Sequence, residues 1–433
     1  KVLTIEQPET FSLKPSDFKG LGRAKMAVKE GDNVKAGTPL FFDRNVEDVL
    51  YTAPVSGEIV EIKRGEKRKI LEVKILADKK IEYKQFSKFD QNQIAGLNRD
   101  VIIDQLQKSG AWVNVIQRPY GIVADASTTP KSIFISAFDK SPLAPDYEFL
   151  LEGKEDDFKF GLAILKSLTD GSVHVGINGD KSSSMFLNGL QIAQVTSFTG
   201  PHPSGNVGVH IHHLDPISKG DIVWTIDPIG VALIGKLFAE GIYDTSRRIA
   251  ITGSEVLQPQ FIETYAGAPL AKLLENNISE KNNRIISGNV LTGEGVGLDG
   301  YLGYYHRQVT VIPEGKEEEF LGWIKPTFDK PSFHKAFGML SFLKKEKPFE
   351  VSTNTNGEER NFVVSGSFED VMPMDILPTY LFKAILSEDY DDMEGLGIYE
   401  VIEEDVALCE FIDVSKNPIQ EIVREGIDLI KEG

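Results

Sequence analysis

Residues 39–62 read PLFFDRNVEDVLYTAPVSGEIVEI and follow, after Thr38, on MAVKEGDNVKAG at 26–37. The two stretches carry short β-type runs punctuated by turn residues, and this pairing decides the architecture of the N-terminal part. Gly31 in the GD turn and Gly37 in the AGT turn supply the positive φ that tight hairpin turns need. Working outward, KMAVKE, GEIVEI and ILEVKIL alternate apolar and polar residues between such turns, so residues 1 to about 95 are expected to be all-β.

The paired patterns EGD-x-V-x-AG-x-PL and AP-x-SG-x-V resemble the two halves of a biotinyl or lipoyl carrier domain, a barrel built of sandwiched hairpins. A carrier presents a lysine at the tip of the hairpin between the halves. Here the tip reads FFDRNVED, and no lysine occurs from Phe41 to Ile62. Without that lysine no covalent carrier function is expected, and a compact module for docking or for lining a cleft is expected instead.

The chain has 433 residues, more than one core holds, so three or four domains are expected. A net charge of −18 argues against a nucleic-acid binder and disfavours docking on anionic lipid. The single cysteine, Cys409, excludes an internal disulfide framework and a Cys-ligated zinc or iron–sulfur site. A reducing, cytoplasmic setting fits this best. The most apolar stretch, DIVWTIDPIGVALIGKLF, is broken by Asp227, Pro228 and Lys236 and is too short to span a bilayer. The start at Lys1 without a methionine reads as a trimmed N-terminus, with no signal-peptide pattern following it.

From 98 to 247 strand and helix patterns alternate. KSIFISAF, SVHVGI, AQVTSF and DIVWTI read as strands; DDFKFGLAILKSL, SSMFLNGLQ and GVALIGKLFAEG read as helices. This alternation predicts a parallel sheet with crossover helices, and the ends of such strands are where α/β folds bind ligands. Residues 248–320 return to β-rich character, with RIAITG, NRIISGNVLTG and YHRQVTVI as strands around a helix in APLAKLLENN, as in a β-grasp. Residues 321–367 are assigned as a connecting β segment, and 368–433, with MDILPTYLFKAILSE and NPIQEIVREGIDLIKEG, as helical.

This domain order resembles the C subunit of the Rnf electron-transport complex and its paralogues, the NqrA family of the sodium-translocating NADH:quinone oxidoreductase. The middle part is similar to the flavoprotein subunit of respiratory complex I. EGDNVKAGTPLFFD, TAPVSGEIVEIKRGEKRKI, TGPHPSGNVGVHIHHLDPI, SGNVLTGEG and YLGYYHRQVTVI resemble the NqrA family specifically, and the resemblance covers nearly the whole chain. It implies a multidomain α/β and α+β protein with five parts. These are a lipoyl-like barrel-sandwich hybrid over 1–97, a Rossmann-like domain over 98–247 and a β-grasp, SLBB-like domain over 248–320. The connecting segment over 321–367 and a helical ferredoxin-like C-terminus without clusters over 368–433 follow.

Two departures from the redox-active relatives bear on cofactors. Those relatives carry a glycine-rich loop whose backbone approaches FMN and NADH, because glycine has no Cβ in the way. The matching place here reads SGAWVNVIQRPYG, and nothing between Gly110 and Gly121 is glycine. Trp112, Arg118 and Tyr120 would fill the space a phosphate needs, with a different anion site at Arg118 as the alternative. The relatives also hold iron–sulfur clusters on C-x2-C-x2-C-x3-C helical segments. Here MPMDILP keeps the frame with Met372 in a cysteine's place, and the ligand positions read Glu403, Val406, Cys409 and Asp413. One thiolate cannot hold a four-iron cluster. Cys409 is expected to be a buried small hydrophobe.

Four of the seven histidines, His202, His210, His212 and His213, fall in one run. Imidazole is a common metal ligand. However, His210 and His212 are expected to alternate on one face of an extended segment with His213 opposed, which favours a patterned strand over a metal site. In the relatives this place lies beside the flavin. Pro201, His202, Pro203, Ser204 and Gly205, with Ser136 and Asp139 after the strand KSIFIS, are therefore the candidate wall of a vestigial nucleotide or quinone pocket; a structural turn region is the competing reading. SEDYDDMEGLG lacks the glycine a calcium loop needs at its sixth position, so Ser387 is expected to cap a helix whose first turn is acidic. GSE at 253–255 is not a nucleophile elbow, and no catalytic residue is assigned.

The resemblance implies a peripheral protein on the cytoplasmic face of the bacterial inner membrane, docked on the membrane and flavin-bearing subunits of the same complex. The complex would pass electrons from NADH through FAD, FMN, riboflavin and an iron–sulfur centre to ubiquinone or menaquinone while exporting sodium. This chain would bind no cofactor or metal of its own, and would contact quinone at most. A member of the Rnf C family and a stand-alone small-ligand module are the alternatives.

Overall fold

The computed structural model describes residues 2–94, 96–181, 190–315, 321, 333 and 350–432. Its first strand, β1 (Val2–Leu3), joins a distant sheet. The N-terminal barrel is then built from β2 (Thr10–Leu13), β3 (Ala24–Met26), β4 (Asn33–Val34), β5 (Pro39–Asp43), β6 (Val46–Thr52), β7 (Gly57–Arg64) and β8 (Ile70–Ala77). These form two antiparallel sheets, β2-β8-β7-β4 and β3-β5-β6. The alternation in β8 puts Ile70, Val73 and Ile75 inside with Phe11, Phe41 and Ile59, and leaves Leu71 and Leu76 outside. Gly31 (φ 87°) and Gly37 (φ 90°) hold the left-handed turns expected of them.

The second unit contains α1 (Gln91–Ile94), α2 (Arg99–Ser109), β9 (Ile116–Arg118), β10 (Ile122–Val123), β11 (Ser132–Ser136), α3 (Tyr147–Leu150) and α4 (Glu155–Lys166). It continues with β12 (Ser172–Asn178), β13 (Gln194–Phe198), α5 (Val207–Leu214), β14 (Val223–Thr225) and α6 (Pro228–Glu240). The strand order is β10-β9-β14-β11-β12-β13, with β14, β11, β12 and β13 parallel and β9 antiparallel to its neighbours. Most of the helix expected over SSMFLNGLQ lies outside the described residues. The Asp227 side chain accepts from Ile229 and Gly230 N–H to start α6, Pro228 sits in its first turn, and Gly241 ends it in the left-handed region.

The third unit has β15 (Arg247–Thr252), β16 (Gln260–Thr264), α7 (Leu270–Leu273), β17 (Asn283–Ser287), β18 (Glu294–Gly295) and β19 (Gln308–Pro313). The helix expected over APLAKLLENN shrinks to the single turn of α7. β1 returns here as the edge strand of the order β1-β16-β15-β19-β17-β18, pairing parallel with β16.

Four helices close the chain: α8 (Pro378–Leu386), α9 (Tyr390–Gly395), α10 (Glu403–Ile412) and α11 (Ile419–Glu432). α11 buries Ile419, Ile422, Val423, Gly426 and Ile427, a helical stripe. These helices share a core with Phe134, Val209, Ile211 and Val223 of the α/β unit, so they pack directly on its sheet and on α5. Two expectations are corrected. Ser387 is the C-cap of α8, its hydroxyl bonded back to the carbonyls of Lys383 and Ala384, and Asp389 caps α9 instead. The backbone turns between the two helices so that α9 starts at Tyr390, which leaves the Asp389 carboxylate to accept from Asp392 N–H at 3.1 Å. The β segment assigned to 321–367 falls largely outside the described residues, and the described stretch 350–367 contains no strand.

Candidate functional site

The hairpin tip that a carrier would use for its lysine is organised here by Asp43. Its carboxylate turns inward and accepts from the N–H groups of Gly22 (2.6 Å) and Asn45 (2.9 Å). The tip is thus a closed structural turn.

In the segment SGAWVNVIQRPYG, Trp112 is fully buried. Its indole N–H donates to the Ala124 carbonyl at 2.8 Å, and its ring meets Trp224 edge-on at 5.3 Å. Arg118, 1 % exposed, extends from β9 to the first turn of α10. Its Nη1 donates to Asp405 Oδ2 at 2.6 Å and its Nη2 to Glu404 Oε1 at 2.5 Å. Burial works against the guanidinium charge, but the Asp405 and Glu404 carboxylates overcome it and raise the Arg118 pKa. The alternative of an anion site at Arg118 is therefore corrected: its cationic partner positions are taken by two carboxylates of the chain itself. FMN or NADH does not fit this loop, because an indole fills it and fixed carboxylates would repel a phosphate.

The seven predicted pocket residues lie on two loops at the C-terminal ends of β11 and β13, and the fold brings them together. Ser136 Oγ is 2.7 Å from Gly205 O and 2.9 Å from Phe138 O. Asp139 accepts from Ser141 N–H at 2.7 Å. Ser204 bonds within its own loop, its N–H to Pro201 O and its hydroxyl to Gly200 O, both at 2.9 Å. Pro203 and Gly205 are buried, while Pro201 is exposed. His202 is half-buried; burial pushes its imidazole pKa down, opposed by the nearby Asp139 carboxylate. His202 Nδ1 is the one side-chain atom of the seven that is buried without a partner among the described residues.

The histidine run is helical, not extended: Val207–Leu214 form α5. At 100° per residue His210 and His212 point to different sides, which overturns their expected shared face. Short apolar runs fit both periods locally, and in α5 the residues that become buried are Gly208, Val209, His210 and Ile211. His210 points inward, stacked on Phe198 at 3.9 Å, and its Nε2–H donates to the Ser204 carbonyl at 2.9 Å. His212 Nδ1–H donates to Glu400 (2.8 Å) and its Nε2 accepts from Asp375 N–H (2.9 Å). His213 Nε2–H donates to Pro373 O at 2.9 Å. Two of the histidines thus tie the segments just before α8 and α10 to α5. Among the described residues no cluster of three His, Cys, Asp or Glu side chains is arranged to hold a metal.

Burial pushes the His210 pKa from 6.5 down to about 4, with the Ser204 bond opposing and His213 adding to the fall. The folded value lies below the unfolded one. The stability from neutral His210 is therefore full above about pH 6.5 and is lost as pH falls toward about 4. His306 shifts the same way, to about 4, so a variant comparison is needed to isolate His210. His210→Gln keeps a donor for Ser204 O without titrating. The stability gap between wild type and this variant is expected to shrink by about 2 kcal/mol between about pH 7 and 5, read from urea midpoints.

The cluster-like frame in α10 is filled by structural contacts. Glu403 binds Arg424 and Lys19, each at 2.7 Å; burial opposes its charge, yet these cations hold its pKa down to about 2. Val406 and Cys409 are core residues, and burial pushes the Cys409 thiol up to about 12. Asp413 caps the end of α10, accepting from Ser415 and Asn417 N–H. Met372, in a cysteine's place, is buried in the same core.

Sequence reasoning missed two polar junctions. Asp227, beyond its capping role, accepts from Tyr147 (2.7 Å) and Arg307 (3.1 Å). Tyr304 and Tyr243 share a hydroxyl bond of 2.8 Å, and Tyr304 N–H donates to Asp17, whose pKa burial raises to about 6. The available signal was the dense YLGYYHR segment, since buried Tyr and Arg require partners.

Three family models match this chain. They are the NqrA N-terminal barrel-sandwich hybrid domain over 1–78, the NqrA second alpha/beta domain over 97–243 and the NQRA C-terminal domain over 248–297. The A subunit of the Na(+)-translocating NADH-quinone reductase of Marinomonas sp. is 38% identical over 99% of this chain and 95% of its own. The proteins of the same name from Glaesserella parasuis and Yersinia pestis are 40% and 39% identical, each over 95% of this chain and 91% of theirs. Among solved structures, an NAD+-reducing [NiFe]-hydrogenase in the air-oxidized state superimposes with a TM-score of 0.39 at 10% identity, over 81% of this chain and 67% of that one. With the near-complete coverage of its curated relatives, the chain belongs to the NqrA family of the Na(+)-translocating NADH-quinone reductase.

Proposed function

We propose that this chain is the NqrA component of a membrane-bound assembly that reduces quinone with NADH and moves sodium across the membrane, working as a scaffold and not as a redox centre. The observation that carries this reading is the 38% identity over 99% of the chain to a protein named for that reaction. No described helix is long and apolar enough to cross a membrane. We assign the chain a peripheral position on the cytoplasmic face, held by membrane and flavin-bearing partners. The flavins and iron–sulfur centre of the assembly belong to those partners. The loop filled by Trp112 and the paired Arg118 supports this division of labour.

We keep the proposed units at 1–97, 98–247, 248–320, 321–367 and 368–433. The paired loops Ser136–Asp139 and Pro201–Gly205, which meet through Ser136 Oγ and Gly205 O and include the unbonded His202 Nδ1, are the proposed place of contact with a quinone head group. Affinity purification of the tagged chain from gently solubilised native membranes tests the assignment. Membrane flavoprotein partners in fixed stoichiometry are expected. The chain expressed alone is expected to be colourless and to leave the absorbance of added FMN unchanged. A chain that purifies alone from those membranes, or one that carries flavin, overturns the reading.

A further inference from the structure

The tip of the β7–β8 hairpin, residues 63–69, reads KRGEKRK: five cations and one carboxylate in a chain whose acids outnumber its bases by 65 to 47. No other seven-residue window holds five cations. Lys63, Arg64, Lys67, Arg68 and Lys69 are all exposed. Among the described residues none of the five forms a salt bridge, and the Arg64 guanidinium reaches only the Arg68 carbonyl, at 3.3 Å. The tip is a closed, ordered turn. Gly65 N–H donates to Lys69 O at 2.8 Å and Lys69 N–H to Glu66 O at 3.0 Å. Lys67 (φ 50°) and Arg68 (φ 61°) both hold left-handed backbone, which residues with a Cβ rarely adopt, so the fold sustains a strained turn to present them. Leu71 lies over Gly65 at the base of the tip and is 40 % exposed.

We propose that this hairpin is a membrane-contact element that binds the anionic phospholipid surface, with its cations among the headgroups and Leu71 at the interface. The net charge of −18 disfavours lipid docking only if charge acts globally. At physiological salt the screening length is about 8 Å, so the bilayer feels the tip and its base, where Glu61 and Glu72 are both paired with Lys74, and not the acids elsewhere on the chain. A solvated surface turn interleaves opposite charges; this one concentrates one sign beside an exposed apolar side chain, the pattern that anionic headgroups attract. A lipid surface is favoured over an acidic protein because it accepts a projecting tip without shape complementarity. The inference rests on the proposed membrane assembly for its setting, but its test uses the chain alone.

The full chain is mixed with phosphatidylglycerol–phosphatidylcholine vesicles and with pure phosphatidylcholine vesicles, and partition is read by co-flotation. Binding to the anionic vesicles, weakened by added salt and absent from the neutral ones, is expected. The triple variant Lys67→Gln, Arg68→Gln, Lys69→Gln should lose on the order of a hundredfold in partition, and Glu66→Gln should gain about fivefold. Unfolding midpoints of both variants should match wild type, since these side chains are exposed. Equal partition of wild type and triple variant overturns the proposal, as does no binding by wild type to anionic vesicles. Loss of partner proteins from the triple variant, with vesicle binding unchanged, assigns the tip to an acidic protein surface instead. Solitary purification from membranes would sink the assembly reading while leaving the vesicle result standing.

Discussion

Arg118→Met is expected to destabilise the protein by about 3–5 kcal/mol, because it strips the counter-charge from a buried carboxylate. Asp405 is 4 % exposed, and its Oδ1 already lacks a partner among the described residues. With methionine at 118, Asp405 would have to ionise unpaired or take up a proton. Glu404 contributes less, since its side chain is 41% exposed and water can screen it. The loss should localise: α10 should detach from β9 first, giving early proteolytic release of the helices after residue 368. Adding Asp405→Asn is expected to recover much of the loss, because asparagine can still accept from Ile402 N–H at the start of α10. Urea unfolding of the two single variants and the double variant checks this. Additive losses would show that the pair does not hold the C-terminal helices to the sheet.

Gly235→Ala is expected to cost about 3 kcal/mol, although alanine is the better helix former by about 1 kcal/mol. Helices α4 and α6 cross with their backbones touching. A Cβ at Gly235 would lie 1.8 Å from the Asp157 carbonyl oxygen, and one at Gly161 would lie 2.0 Å from that of Val231. Backbone carbonyls inside helices cannot rotate away, so the helices would have to separate and open the packing of Phe158, Leu162, Ile234 and Phe238. Gly161→Ala should behave alike. Gly395→Ala in α9, where nothing lies within 4 Å, should be neutral or slightly stabilising. Thermal unfolding of the three variants separates the effects; if propensity governed all three, every midpoint would rise.

The barrel, the parallel strands and the helices α4, α6, α8 and α11 were legible because apolar periodicity and glycine turns are local signals. The pocket loops were legible as neighbours because both follow parallel strands, whose C-terminal ends converge. Other features were not. VGVHIHHL satisfied the strand period as well as the helical one, and the bonds of His212 and His213 to the segments before α8 and α10 accompany the helical outcome. Ser387 looked like a cap because Ser and Asp share that preference, and only the backbone path selected Asp389.

The sequence by itself determined which atoms stand at three places: a tip without lysine, a loop with no glycine between Gly110 and Gly121, and a C-terminal frame with one thiol. The tertiary structure decided what those places hold. Arg118 meets Asp405 across 287 residues of chain, and Asp43, Trp112, Cys409 and His210 each found a partner or a core that no local pattern specifies. Composition limits the chemistry a chain can perform. Which of its charges and rings end up together depends on long-range packing, where a buried polar group must find its partner wherever the fold happens to bring one.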